Sequence, residues 1–388
     1  MTVCRLLDVS RVVSRAGLVL TGVDRVELAY LKQIAKTENA FGLARTALGY
    51  VLLDQSGLKA LLDAIESDEW GAPDALSRFN RRLTPAARRG QSLVRRHAAA
   101  RCRRRGLAGI LAKQLEPGFA YYNVGHSNLT AGTLQAVGAG EGKASVLIHD
   151  TIPLDWPDMQ RDGTVESFGR KLAAAGAYAQ RLIASTQTVK QDVGRHVANA
   201  PVVIVAPLGV EMPEVSAVLP MSKPETPYFL TVGTIEPRKN HALLLNVWEN
   251  WPDAPPLLIC GRRGWKNEDV FKRLDEGIAG VQEHSDVSDG QIAHLMAGAQ
   301  ALLFPSFAEG YGLPPVEALA RGTQVVVADL PACREVLGDD AVYLDPHDRY
   351  AWENALKNIA LAPRSGTKRS RVPPDWDTHF KLVFTDGW

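Results

Sequence analysis

The chain alternates short apolar runs with amphipathic stretches, and it does so twice, with a proline-rich break between the two series. In the first half the runs Val3–Val9, Gly49–Leu53, Phe119–Val124, Ser145–His149, Leu182–Ser185 and Val202–Val205 read as strands, with helical stretches such as Val26–Ile34 and Val189–Val197 between them. Strands that alternate with helices predict a mostly parallel sheet covered on both faces. Residues 211–226 then carry Pro213, Pro220, Pro224 and polar neighbours, the composition of a linker. The pattern restarts at Tyr228–Gly233 and continues through strands Leu257–Cys260, Ala301–Phe304, Gln324–Ala328 and Ala341–Leu344, with helices at Leu243–Trp248, Gln291–Ala297 and Tyr350–Ile359. A length of 388 residues exceeds one compact core. The division is therefore 1–210, a linker 211–226, a second unit 227–362, and a tail 363–388 containing a basic loop and an amphipathic end from Trp376 to Phe384.

Residues 305–322 carry the densest chemistry. An apolar strand leads into Glu309-Gly310-Tyr311-Gly312-Leu313-Pro314, and a helix containing Glu317 follows. A strand, a glycine turn and a helix N-terminus present backbone N–H groups to phosphate. Glu309 would repel a phosphate, so it is expected to face sugar hydroxyls, and Glu317 suits a vicinal diol. Diphosphate in the middle and hydroxyls at both ends describe a nucleotide-sugar site. Glu309, seven residues, then Glu317, with Gly-Tyr-Gly-Leu-Pro between, resembles the retaining glycosyltransferases of family 4 (glycosyl transferases group 1). The resemblance implies an α/β GT-B fold: two Rossmann-like, doubly wound domains facing a cleft, with a C-terminal helix crossing back to the first. It implies that Glu309 lies by the donor sugar, that the amides of Gly310, Tyr311, Gly312 and Leu313 meet the phosphates, and that Glu317 binds the ribose.

Gly233-Thr234-Ile235-Glu236-Pro237-Arg238-Lys239 follows another strand, at the sheet edge where open α/β sheets bind ligands. Two adjacent cations neutralise a diphosphate, Arg238 bidentately and Lys239 as a point charge. The family places a Lys at this position. It usually has Gly-Arg at the strand turn, where this chain has Gly233-Thr234, so Arg238 is a substitute for that Arg. Arg262 or Arg263 is a further donor contact, or both are solvent-exposed. The segment around Val287 aligns with the one whose backbone reads the base, which leaves the base unnamed.

In the first half, His149 and Asp150 end a strand and precede Pro153, resembling a family stretch that lines the cleft near the reacting sugar. His149 is expected to position an acceptor hydroxyl and Asp150 to hold it. His126 and Ser185, each just after a strand, are further acceptor-side candidates, with helix capping the other reading for Ser185-Thr186. Gly22, in Thr21-Gly22-Val23-Asp24-Arg25, resembles the loop that abuts the donor phosphate, and Asp24 is either part of it or an N-cap.

Charge is uneven although the net charge is +1. Between Arg78 and Arg105 there are eleven arginines and no acidic residue. A basic helix there would contact an anionic membrane surface at about 1 kcal/mol per Arg. A solvated face is the competing reading. Nucleic acid is disfavoured because Phe79 is the one aromatic residue in the run. Cys4, Cys102, Cys260 and Cys333 have no paired spacing, which suits a reducing cytosol. Asp375-Trp376-Asp377 opens a helix rather than following a strand, so no metal or other cofactor is expected. With no basic-then-apolar leader and no long apolar run, the expectation is a cytoplasmic protein, either soluble or peripheral on the inner face of the cytoplasmic membrane. The expected activity is metal-independent hexosyl transfer, of mannose or rhamnose type, from a nucleoside-diphosphate sugar to a glycan or lipid-linked glycan of a surface polysaccharide. A catalytically silent scaffold and a nucleotide-sugar epimerase on the same fold are the alternatives.

Overall fold

The computed structural model describes residues 3–80, 82–212, 214–215, 224, 226–362 and 373–385. The first sheet contains β1 (Arg5–Asp8), β2 (Ala40–Thr46), β3 (Gly49–Leu53), β4 (Ala100–Cys102), β5 (Ala120–Asn123), β6 (Lys143–Ile148), β7 (Arg181–Ala184) and β8 (Val202–Val205). Their order is β4-β3-β2-β1-β5-β6-β7-β8. Pairings from β2 to β8 are parallel, and β3 joins β2 and β4 antiparallel at one edge. The second sheet contains β9 (Phe229–Val232), β10 (Leu257–Cys260), β11 (Val281–His284), β12 (Ala301–Phe304), β13 (Gln324–Ala328) and β14 (Val342–Leu344). It is parallel throughout, in the order β11-β10-β9-β12-β13-β14. Each sheet reverses its direction of growth once, between β1 and β5 and between β9 and β12. Such switch points open a crevice at the carboxyl ends of the strands. The fold is therefore GT-B-like, with two doubly wound α/β domains.

Three strands escaped the sequence reading for local reasons. β2 is diluted by Gly42 and Arg45, β4 lies inside the arginine run, and β11 is Val-Gln-Glu-His at a sheet edge. The arginine run is not one basic helix. It passes through helices Ala75–Phe79 and Pro85–Arg96, then β4, then a short 3-10 turn. Several of its guanidinium groups are structural. Arg95 is buried and holds Asp74 through two 2.8 Å hydrogen bonds. Arg88, Arg89 and Arg96 donate to the carbonyls of Asn80, Ala16 and Trp70. Arg78, Arg82, Arg101, Arg103, Arg104 and Arg105 remain exposed, and Arg81 lies outside the described residues. Most of the linker 211–226 and the basic loop 364–371 also lie outside them. Among the described residues no helix is long and apolar enough to cross a membrane.

The tail returns to the first domain as the helix Trp376–Val383. Asp375 caps it, accepting from the Thr378 amide at 2.6 Å, so the Asp-Trp-Asp sequence serves a helix start. Phe380 and Phe384 stack on each other and meet Tyr30 edge-on at 5.0 and 6.2 Å. His379 is buried between Tyr30 and the strand-end carbonyls of Ala206 and Pro207. Its Nδ1–H donates to those carbonyls, so Nε2 accepts from the Tyr30 hydroxyl at 2.8 Å. Arg181 closes the contact by donating to the Val383 carbonyl at 2.7 Å. Gly209 is needed at the crossing, since a Cβ there would lie 2.4 Å from the Trp376 nitrogen. Truncating buried Phe380 opens a cavity under this helix, and Phe380→Ala is expected to lower stability by about 3–5 kcal/mol. Denaturant unfolding of the full chain checks this; a change below about 1 kcal/mol would mean that the helix is not anchored this way.

Candidate active site

The loops after β9 and β12 flank the second switch point, which is why residues 70 apart in sequence meet. The loop after β9 is a 3-10 turn, Pro237–Lys239, closed by Asn240 in a left-handed conformation. The Asn240 side chain donates to the carbonyls of Pro305 and Pro346, tying three loops together. Arg238 donates to the Ala308 carbonyl and to Glu309 Oε1, both at 2.8 Å, and also binds Glu236. Lys239 Nζ reaches the same Glu309 Oε1 at 2.6 Å and sits 4.3 Å over the Phe304 ring. The Glu309 side chain is only 9% exposed. Burial opposes its ionisation, yet Arg238 and Lys239 outweigh burial and hold the carboxyl below its usual range. Burial pulls the Lys239 ammonium down, with Glu309 opposing. The result is a compact cluster of two carboxylates and two cations.

The loop after β12 turns on Gly312, whose φ of 83° is the left-handed conformation that glycine adopts freely. It opens the helix Leu313–Ala320, with proline in the first turn. Glu317 is buried on that helix, and burial pushes its carboxyl up while Arg25 opposes. Arg25 comes from the first domain, and its Nη2 lies 2.6 Å from Glu317 Oε1 across the cleft. From sequence alone Arg25 is no more than a flank of Gly22. Its partner is 292 positions away, and nothing local announces the pairing.

The two domains touch at Gly310. The Ser185 and Thr186 hydroxyls donate to its carbonyl at 3.5 and 3.2 Å. A Cβ on Gly310 would lie 2.2 Å from the His149 carbonyl oxygen and 2.9 Å from the Asp150 Cβ. The glycine is thus required by the neighbouring domain, whatever a ligand also needs. Gly22 also faces the other domain, but with room to spare: its ideal Cβ position lies 3.5 Å from Leu313 Cδ1, an ordinary contact. The Tyr311 hydroxyl donates to the Leu208 carbonyl at 2.7 Å, so its side chain serves the interdomain crossing. Asp24 points away from the cleft. It completes a capping box with Thr21 and receives Arg11 and Arg15.

These loops enclose a cavity of about 420 Å³, a size that accommodates a small-molecule ligand. Gly22, His149, Asp150, Ser185, Gly233, Thr234, Arg238, Lys239, Val287, Glu309 to Leu313 and Glu317 all line it. Of the two arginines after β10, Arg262 reaches the wall and pairs with Asp286, while Arg263 turns outward to Asp275 and Glu283. His126 does not reach the wall. It stands behind His149, ring centroids 5.4 Å apart, and each ring's Nε2 donates to a backbone carbonyl near the other: His126 to Leu147 at 2.6 Å, His149 to Val124 at 2.7 Å. Burial pulls both imidazoles down, to about 3 for His126 and about 4 for His149. Both are neutral at pH 7, and His149 Nδ1 is left as an acceptor. Burial pushes the Asp150 carboxyl up, against Arg238. Cys260 also lines the cleft, but burial pushes its thiol up to about 12, which makes it a poor nucleophile. Among the described residues no group of three His, Cys, Asp or Glu side chains could hold a metal ion.

Two outcomes follow from this geometry. The imidazole NMR signals of His126 and His149 should not titrate between pH 5 and 8; a midpoint near 6.5 would place them in water. Gly310→Ala should weaken nucleoside-diphosphate binding at least tenfold, about 1.4 kcal/mol, with an unchanged circular dichroism spectrum. Calorimetric titration checks it, and unaltered affinity would mean that the domains need not approach this closely.

Residues 220–371 match the family model described as "Glycosyl transferases group 1". The O-antigen chain mannosyltransferase RfbU of Salmonella typhimurium is 34% identical over 167 residues, 42% of this chain and 46% of that protein. The serotype-specific mannosyltransferase WbdA of Escherichia coli is 30% identical over 227 residues, 52% of this chain and 28% of that protein. The chain thus spans less than half the length of these curated relatives. The structure of Anabaena HepE in complex with UDP-glucose superposes with a TM-score of 0.62 at 15% identity, covering 92% of this chain and 89% of that one, a likeness of fold. The segment that carries Lys239, Glu309 and Glu317 is a group 1 glycosyltransferase domain, set in a GT-B fold.

Proposed function

We propose that the chain is a retaining glycosyltransferase that moves a hexosyl group, mannose favoured over rhamnose, from a nucleoside-diphosphate sugar to a glycan or lipid-linked glycan in surface polysaccharide synthesis. The observation that carries this reading is Glu309 held between Arg238 and Lys239 at the mouth of a glycine turn and a helix N-terminus. The mannosyltransferase names of RfbU and WbdA support the sugar class.

In this reading a diphosphate entering the cleft competes with Glu309 for Arg238 and Lys239. The backbone N–H groups of Gly310 to Leu313 add fixed positive potential from the helix start. The bond between the anomeric carbon and the phosphate oxygen breaks while the acceptor oxygen attacks on the same face. The leaving phosphate takes the acceptor proton. Charge grows on the diphosphate during this step, so preorganised donors there lower the barrier most. Glu309, released from part of its ion cluster, accepts hydrogen bonds from sugar hydroxyls. Glu317 accepts the ribose diol, with Arg25 beside it. Neutral His149 offers Nδ1 to the acceptor hydroxyl, and Asp150 holds it. The two cations supply the charge that a metal provides in other transferases, so transfer is proposed to be metal-independent. The first domain binds the acceptor and the second the donor. Exposed Arg78, Arg82, Arg101, Arg103, Arg104 and Arg105 would seat a cytoplasmic enzyme on an anionic inner leaflet.

Lys239→Ala removes one of two cations facing the leaving group and should cut sugar transfer by about two to three orders of magnitude, with vesicle binding unchanged. Transfer from nucleoside-diphosphate mannose to a mannosylated lipid acceptor, measured in wild type and variant, tests this. Full transfer by the variant would end the assignment of this site.

A further inference from the structure

Beside the catalytic loops lies a group of aromatic side chains that the reaction just described does not use. Trp156 ends the short helix that follows His149 and Asp150, and it is 36% exposed although it is the largest apolar side chain on that segment. It stacks on Phe307 of the other domain, with ring centroids 6.4 Å apart and planes 22° apart. Phe307 in turn meets exposed His347 in a tilted contact, at 5.0 Å and 30°. One domain thus provides the first ring and the other domain the next two.

The rings are fixed to the reaction centre. The Phe307 amide donates to the Arg238 carbonyl at 2.8 Å, and Phe307 stands two residues before Glu309. Asn240 ties the loops of Pro305 and Pro346 on either side of it. The Trp156 segment is pinned further along, where Trp265 Nε1 donates to the Met159 carbonyl at 2.9 Å and Arg161 lies 4.3 Å over the Trp265 ring. Nothing in this arrangement buries the free face of Trp156. Core packing would hide an indole of this size, and an aromatic group shared by two domains and open to solvent suits a binding role. Its two flanks select the occupant. Trp156 follows Asp150 by six residues and Phe307 precedes Glu309 by two, so the rings continue the two segments that line the cavity from either domain, and the ligand that suits them is the saccharide. The axial C–H face of a pyranose is weakly apolar and flat, and it stacks on an aromatic ring while its hydroxyls stay in water.

We propose that Trp156 and Phe307, with His347, form a stacking subsite for a sugar ring of the acceptor chain, one that sets how the acceptor lies relative to Glu309. The proposal rests on the glycosyl-transfer reading for its ligand, and its test separates the two. The full chain is titrated with α-linked manno-oligosaccharides of increasing length, following tryptophan emission and saturation-transfer NMR, in wild type, Trp156→Ala, Trp156→Phe and Phe307→Leu. Acceptor KM, donor KM and the thermal shift given by the nucleoside diphosphate are measured alongside.

Trp156→Ala is expected to raise acceptor KM and oligosaccharide Kd about tenfold, in the range of a single aromatic contact. Trp156→Phe should retain most of the affinity, and donor KM and the nucleotide thermal shift should stay at wild-type values. An acceptor KM unchanged in Trp156→Ala overturns the subsite. So does an equal loss of nucleotide binding, which would make the stack interdomain packing. A wild-type protein that binds no oligosaccharide refutes it as well. A protein that binds oligosaccharide at Trp156 but gives no nucleotide shift would keep the subsite and remove the transferase reading.

Discussion

The site depends on one buried carboxylate shared by two cations. Glu309 Oε1 accepts from both Arg238 and Lys239, and all three side chains are largely withdrawn from water. Isolated, any one of these charges would be expelled or neutralised by burial. Together the two cations hold Glu309 in its charged form and fix the two loops that flank the second sheet's switch point. The same pairing keeps the cations pointed at the cavity before any ligand arrives. Preorganisation of this kind supplies catalytic stabilisation without rearrangement during the chemical step.

Interdomain geometry is set by small, specific contacts around that cluster. Gly310 lets the two domains approach within backbone distance, and Ser185 and Thr186 donate to its carbonyl. Arg25 reaches Glu317 from the facing domain. Glu335, on the helix Pro331–Leu337, accepts from the amides of Gln187 and Thr188 at 2.6 and 3.0 Å, the first turn of a helix in the other domain. A carboxylate at a helix N-terminus is favoured by the helix dipole. The returning helix Trp376–Val383 adds an apolar clamp around Tyr30.

What the sequence disclosed followed the range of the interactions. Glu309 and Glu317 were legible because strand, glycine turn and helix are consecutive, and Lys239 because a cation pair after a strand has one natural place. Arg25 was not, because its charge partner is remote in sequence. His149 and His126 looked alike as histidines after strands, and only packing sends one to the wall and the other behind it. The sequence assigns Gly310 only a phosphate-facing amide, and its need for a missing Cβ comes from the His149 carbonyl of the facing domain, which is remote in sequence. The arginine run looked uniform, yet Arg95 is buried on Asp74 while Arg103 to Arg105 are exposed. Polar edge strands such as β11 carry no apolar signature because solvent covers one side of them.

The most direct test of the account is thermal denaturation of the pure protein with UDP, GDP, ADP and dTDP, each without added metal. A ligand at a hundred times its Kd adds about 2.7 kcal/mol of stability. One nucleotide should therefore raise Tm by a few degrees, and it should fail to do so in Lys239→Ala. If no nucleotide moves Tm, the cleft between Lys239 and Glu317 is not a nucleotide-sugar site.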